Sequence, residues 1–259
     1  MRSDSLEGLR VAVLAADGFE QVELTSPVDA LEDLGAEVDI VSLHPGRIRG
    51  VNHMYPGKKV KVDYTLDEIG VDDYDALLLP GGMINPDTLR QSDRVLDFVS
   101  AFNAQGKPIA MICHAPWVPI SAGMVSGRRL TSWPGIKHDV LNAGGVWSDE
   151  AVVRDRNWVT SRGPHDLPEF NDAVAELFAE LAPVRVEVEE EDGGGLGMLA
   201  AGIAAAAAGY AVWQYLQARS DRYEEASPAP LASTAPMPLR PEPVAEVERV
   251  VIVGDGVQH

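Results

Sequence analysis

The chain holds one cysteine, Cys113, in the run Met111-Ile112-Cys113-His114-Ala115-Pro116. An apolar stretch, Pro108–Ile112, reads as a buried strand leading into it, and Ala115–Ala122 reads as a helix with Pro116 tolerated in its first turn. A sharp strand-to-helix turn lifts a side chain above the carboxyl edge of a sheet, where open α/β folds bind ligands. Cys113 is thus the thiol counterpart of a nucleophile elbow. The helix start adds positive potential, so the expectation is a thiol of lowered pKa that attacks carbonyl carbon. The plainer alternative is a buried structural cysteine, since a free thiol packs as a small apolar group. The adjacent His114 favours chemistry, as a general acid/base, although neighbours on a helix point in different directions and need not touch.

Two further features converge on the same edge. Leu77–Pro80 runs into Gly81-Gly82, a backbone free of side chains, and the amides of Gly82 and His114 make a candidate oxyanion hole. A glycine pair after a strand is also an ordinary turn. The first strand ends in Ala15-Ala16-Asp17-Gly18-Phe19-Glu20, and Glu23 follows within one helical turn. Carboxylates there suit the helix dipole, and one of them is placed to reach the thiol. His138-Asp139 and His165-Asp166 match no metal-ligand spacing and read as surface residues, so no metal is expected. Trp117 and Trp133 read as pocket walls or core. No glycine-rich phosphate loop follows a strand in the required form, so no cofactor is implied.

The elements that must hold these residues are legible as a pattern. Leu9–Ala16, Glu37–His44, Asp75–Leu79 and Pro108–Ile112 are short apolar runs, as strands buried on both faces require. Val22–Leu34 and Arg94–Gln105 carry helical periodicity between them, and a last amphipathic helix spans roughly Asp166 to Leu181. Strands alternating with helices predict an α/β fold with a mostly parallel sheet and right-handed crossovers. Gly50–Leu66 interrupts this as a hairpin excursion, and Val152–Thr160 reads as a second hairpin.

The 259 residues carry a formal net charge of −19, which argues against a nucleic-acid partner, because phosphate contacts need clustered Lys and Arg. One cysteine makes no internal disulfide, and the polar start with only a short apolar run predicts a cytoplasmic catalytic domain. After Pro183 the composition changes. Residues 184–193 read as an acidic and Gly-rich linker, and 217–259 as a Pro-rich disordered tail. Residues 194–216 contain no charged side chain. They read as an Ala-rich apolar helix, either a membrane anchor or a soluble helix docked on the domain.

Taken in order, several stretches resemble the ThiJ/PfpI superfamily, in its PfpI-like branch of intracellular proteases and bacterial stress proteins. They are Gly18-Phe19-Glu20-Gln21-Val22-Glu23-Leu24, Leu79-Pro80-Gly81-Gly82, Ile84-Asn85-Pro86-Asp87, Ile112-Cys113-His114-Ala115-Pro116, Thr131-Ser132-Trp133-Pro134-Gly135-Ile136 and Asp166-Leu167-Pro168. The resemblance spans residues 9 to 182 and implies a flavodoxin-like sandwich, related to class I glutamine amidotransferases, over a catalytic domain of residues 1–183. It implies a strained backbone at Cys113, a hydrogen bond from Glu23 to its sulfur, and a catalytic role for His114. It also implies that Asp87 orients this histidine across a subunit interface, in a homo-oligomer between dimer and hexamer. Ala115 stands where the family usually has glycine.

Three functions follow from the resemblance and the residues. The first is a cofactor-free stress-response enzyme acting on reactive aldehydes or glycated adducts, as a deglycase or glyoxalase does. The second is a cysteine peptidase acting on protein or peptide. The third is a non-enzymatic redox sensor or holdase built on an oxidisable thiol. The aldehyde reading is preferred, because the chain shows no separate specificity element for peptides.

Overall fold

The computed structural model describes residues 5–181. The chain runs through β1 (Arg10–Leu14), β2 (Phe19–Glu20), α1 (Gln21–Asp33), β3 (Glu37–Ser42), β4 (Arg47–Asn52), β5 (Tyr55–Lys61) and β6 (Tyr64–Thr65). It continues through β7 (Ala76–Leu79), α2 (Ile84–Leu89), α3 (Asp93–Ala104), β8 (Ile109–Ile112), α4 (Trp117–Ser121) and β9 (Arg129–Leu130). The described part closes with α5 (Lys137–Asn142), β10 (Val146–Trp147), β11 (Val152–Asp155), β12 (Trp158–Ser161) and α6 (Leu167–Leu181).

Among the described residues, seven strands form the main sheet in the order β11-β12-β8-β7-β1-β3-β6. Its pairs are parallel except β11 with β12. The apolar runs exist because both faces are covered. Val11, Val13, Leu78, Ala110 and Ile112 join one core with residues of α1 and α6, while Ala12, Leu14, Leu77, Ile109 and Met111 join the other with residues of α3. Alternate residues of one strand therefore feed different cores, and a strand here has no polar face to show. This is the doubly wound sandwich expected from the sequence.

The chain passes from β1 out to β3 and then returns to β7 on the other side of β1. The carboxyl ends of β1 and β7 flank that reversal, and ligands bind such folds at this crevice. The first hairpin begins at Arg47 rather than Gly50 and is anchored to β2 through Phe19↔Gly50 and Glu20↔Val51. Its last residues leave it, since Tyr64 and Thr65 pair with β3 in the main sheet. The second hairpin is β11–β12, turning at Arg156 with φ 57°. The helix expected over Ala115–Ala122 is shorter, Trp117–Ser121, because Cys113 to Pro116 form turns. Among the described residues no helix is long and apolar enough to cross a membrane. The linker, the apolar segment 194–216 and the Pro-rich tail lie outside the described residues.

Candidate active site

Cys113 directly follows β8 and has φ 63°, a left-handed backbone that costs a non-glycine residue about 1–2 kcal/mol. The strain is held from both sides. The Cys113 amide donates to the Ser161 carbonyl at 3.0 Å, and the Cys113 carbonyl accepts from the Trp133 amide at 2.9 Å. This backbone, not a helix, joins Cys113 to His114. Consecutive side chains are therefore not splayed, and His114 Nδ1 lies 3.2 Å from Sγ. The two side chains do meet, which helical geometry alone did not require.

Of the two candidate carboxylates, Glu23 is the one at the sulfur. Its side chain is wholly buried at the start of α1 and interacts with that of Cys113. Oε2 accepts from the Gly81 amide at 3.0 Å, and among the described residues Oε1 has no hydrogen-bond partner. Burial, assisted by the charge of Glu20, pushes the Glu23 carboxyl up to about 8, so it is protonated at neutral pH. The protonated carboxyl thus stands as a proton donor beside the Cys113 side chain with which it interacts. Glu20 serves elsewhere: its Oε2 accepts from the His53 amide at 2.9 Å and braces the tip of the β4–β5 hairpin.

The amides of Gly82 and His114 both interact with Sγ. The glycine pair is required rather than incidental. A Cβ at Gly81 would strike the Glu23 carboxyl and the Cys113 Cβ, and one at Gly82, where φ is +81°, would strike the backbone at Gly18 and Glu20. Asn85, which entered the sequence reading only as part of a motif, locks this arrangement from α2. Its Oδ1 accepts from the Ala16 amide at 2.6 Å, and its Nδ2 donates to the carbonyls of Pro80 at 2.8 Å and Gly81 at 3.2 Å. One buried amide thereby ties the ends of β1 and β7 together. The available signal was an Asn immediately before a proline at a helix start, which fixes the residue's place but not its partners.

The expectation of a thiol of lowered pKa is corrected. Burial pushes the Cys113 thiol up, the charge of Glu23 when ionised adds to this, and only the two amides pull it down. α4 has five residues and begins four positions beyond Cys113, so it offers the sulfur little dipole. Burial also lowers the pKa of His114, leaving a neutral imidazole able to accept a proton at Nδ1.

Trp117 and Trp133 do wall the site, flanking His114 with ring centroids 5.1 Å and 6.0 Å away. Asp87 stands apart from the histidine within the protomer. Its carboxylate is taken by the Arg90 guanidinium at 2.7 Å and by Gln91 Nε2 at 3.3 Å. His138 is exposed, and His165 lies beside Asp166, whose carboxylate is held by Arg162. Among the described residues no three His, Cys, Asp or Glu side chains cluster as metal ligands would.

The arrangement has counterparts in known proteins. The chain is 44% identical over 159 residues to deglycase PfpI of Pyrococcus furiosus, spanning 61% of this chain and 93% of that one. It is 42% identical over 167 residues to protein/nucleic acid deglycase 2 of Escherichia coli, covering 62% of this chain and 93% of the relative. The crystal structure of Drosophila melanogaster DJ-1beta superposes with a TM-score of 0.61 at 31% identity, over 67% of this chain and 90% of that one. Residues 9–177 match the model of the DJ-1/PfpI family, and the chain belongs to that family.

Proposed function

We propose that this protein is a cysteine-dependent enzyme that acts on reactive aldehydes or on their early adducts with proteins, as deglycases and glyoxalases do. One observation carries the reading. At a single turn, the sulfur of Cys113 meets the His114 imidazole, the buried carboxyl of Glu23 and two backbone amides. Relatives named deglycases, matched over nearly their whole length, support the substrate class.

Each group has a step. The thiol proton passes to His114 Nδ1 as the S–C bond forms, and the carbonyl π pair moves onto oxygen. The amides of Gly82 and His114 stabilise that oxyanion, and the Glu23 carboxyl protonates it to give a hemithioacetal. With methylglyoxal, the hemithioacetal hydroxyl returns its proton to Glu23 as its carbon becomes a carbonyl, the hydrogen on that carbon passes to the adjacent carbon, and the former ketone oxygen takes the proton held by His114, giving a thioester. One water hydrolyses it, releasing lactate and restoring the thiol. The cycle starts from a protonated Glu23, so turnover falls as pH rises through about 8.

The test compares the full-length chain with its Cys113→Ala variant in two assays, lactate formation from methylglyoxal and hydrolysis of a fluorogenic peptide. Cys113-dependent lactate formation is expected. Cys113-dependent peptide cleavage without lactate would make the protein a peptidase instead, and neither activity would remove it from the enzymes.

A further inference from the structure

His114 is assigned the thiol proton, yet among the described residues its ring makes no hydrogen bond beyond the contact with Sγ. Two indoles seat it, and they are held differently. The Trp133 ring is stacked at 25° to the imidazole, and the residue is 40% exposed. Among the described residues its indole N–H has no hydrogen-bond partner. Trp117 is fixed from two sides. Its Nε1–H donates to Asp139 Oδ2 of α5 at 2.8 Å, and the Arg90 guanidinium lies 4.6 Å from its ring centroid. Arg90 is in turn locked by Asp87.

An indole has two torsions. A charge-assisted bond at its far corner removes the freedom to swing away from the imidazole. We infer that Asp139 is a positioning residue: through Nε1 of Trp117 it fixes the wall that keeps His114 Nδ1 at the sulfur. The inference rests on His114 being the base of the proposed reaction. Asp139 touches no reacting atom, and its effect depends on the hydrogen bond rather than on charge at the site.

The test avoids the unproven substrate. Cys113 is the only cysteine of the chain, so iodoacetamide alkylation followed by mass spectrometry reads this thiol alone. In the full-length protein at pH 7, Asp139→Ala and Trp117→Phe should each slow alkylation about two- to tenfold, the range one such hydrogen bond spans. Both should also move the pH profile of the rate upward. Asp139→Asn keeps an oxygen that can accept the same bond and should restore a near wild-type rate. The Asp139→Ala/Trp117→Phe double variant should be no slower than either single one, because both remove the same link. Three results would overturn the inference: an unchanged rate in Asp139→Ala, an Asp139→Asn variant as slow as Asp139→Ala, or additive losses in the double variant. His114→Ala separates the two ideas. If it leaves alkylation unchanged, the base assignment fails and the positioning role falls with it. If it slows alkylation while Asp139→Ala does not, only the positioning role is lost.

Discussion

At the carboxyl edge of the main sheet Glu23 is buried with one carboxyl oxygen unpartnered among the described residues, while at the amino edge Arg128, 6% exposed, is bonded through both terminal guanidinium nitrogens. Arg128 donates to the Asp155 carbonyl at 3.0 Å, to Asn103 Oδ1 at 2.7 Å and to Asn157 Oδ1 at 3.0 Å, and it covers the Trp158 ring at 4.0 Å. Asn157 and Trp158 also bond to Asn103, closing the network around the first residues of β8 and β12. Both groups lose water on folding, but both terminal nitrogens of the arginine find acceptors, whereas one oxygen of the acid finds no donor among the described residues. For these two groups the contrast in satisfaction matches a contrast in role: the bonded arginine serves stability, and the incompletely bonded acid serves the reaction. The carboxyl edge adds a strained Cys113 to an incompletely bonded acid, and such features persist where the surroundings over-determine them.

The sharpest way to break this comparison is Cys113→Ser. It should abolish lactate formation by at least about a thousandfold while leaving the urea midpoint of unfolding unchanged. A variant that retained turnover, or that unfolded early, would show that the edge is built for stability after all. Arg128→Met is the mirror experiment. It removes the Arg128 donors from Asn157 Oδ1 and the Asp155 carbonyl, leaves Asn103 Oδ1 to Trp158 and Asn157, and should cost about 2–4 kcal/mol of stability in urea. Activity per folded molecule should stay within about twofold, because nothing at the amino edge touches the thiol.

Glu23→Gln sharpens the contrast from the other direction. The folded state keeps the Glu23 proton up to about pH 8, whereas the unfolded chain releases it near 4.5. Between those values the native state binds more protons, so wild-type stability falls as pH rises across that window and levels off above it. Glutamine has no proton to release and escapes the penalty. Relative to wild type it should therefore be near neutral at pH 4 and more stable by about 2–4 kcal/mol at pH 8, with turnover reduced at both. Urea titrations at the two pH values measure this, and a pH-independent difference would mean that Glu23 is not held protonated.

Much of this was legible in the sequence for a specific reason. β7 and β8 are buried on both faces at every position, so they are written as unbroken apolar runs, and the functional turns fall where those runs stop. The site was harder to read because side-chain direction comes from dihedral angles rather than residue type. Whether Cys113 touches His114 depended on a left-handed φ at Cys113, and that angle also disposed of the helix assumed to acidify the thiol. Spacing alone left Glu20 and Glu23 equivalent, and only the family resemblance pointed to Glu23; the structure separates them by pairing β2 with the hairpin, which takes Glu20 with it. Asn85 and Arg128 satisfy partners 69 and up to 29 residues away, respectively, and local spacing carries no trace of such bonds.

The smallest effect concerns Asp87, where one chain and an assembly make different demands. Within the protomer its carboxylate holds Arg90 against Trp117, an indirect route to His114. The homo-oligomer proposed from family resemblance would instead bring Asp87 to the histidine of another subunit. Either role orients a base rather than supplying one, so Asp87→Ala should lower turnover only about two- to tenfold, with the protein folded. Mixing chains tells the routes apart. Asp87→Ala subunits keep Cys113, and Cys113→Ala subunits keep Asp87. In a statistically mixed dimer about half the molecules pair the two kinds, and one site in each then has both groups, so about a quarter of all sites recover full activity if Asp87 acts in trans. If it acts in cis, every surviving thiol sits beside a truncated Asp87 and mixing gives no gain over the Asp87→Ala chains alone. Subunit exchange must be verified by native mass spectrometry. With exchange complete, the absence of recovery would place the whole influence of Asp87 on the Arg90–Trp117 stack.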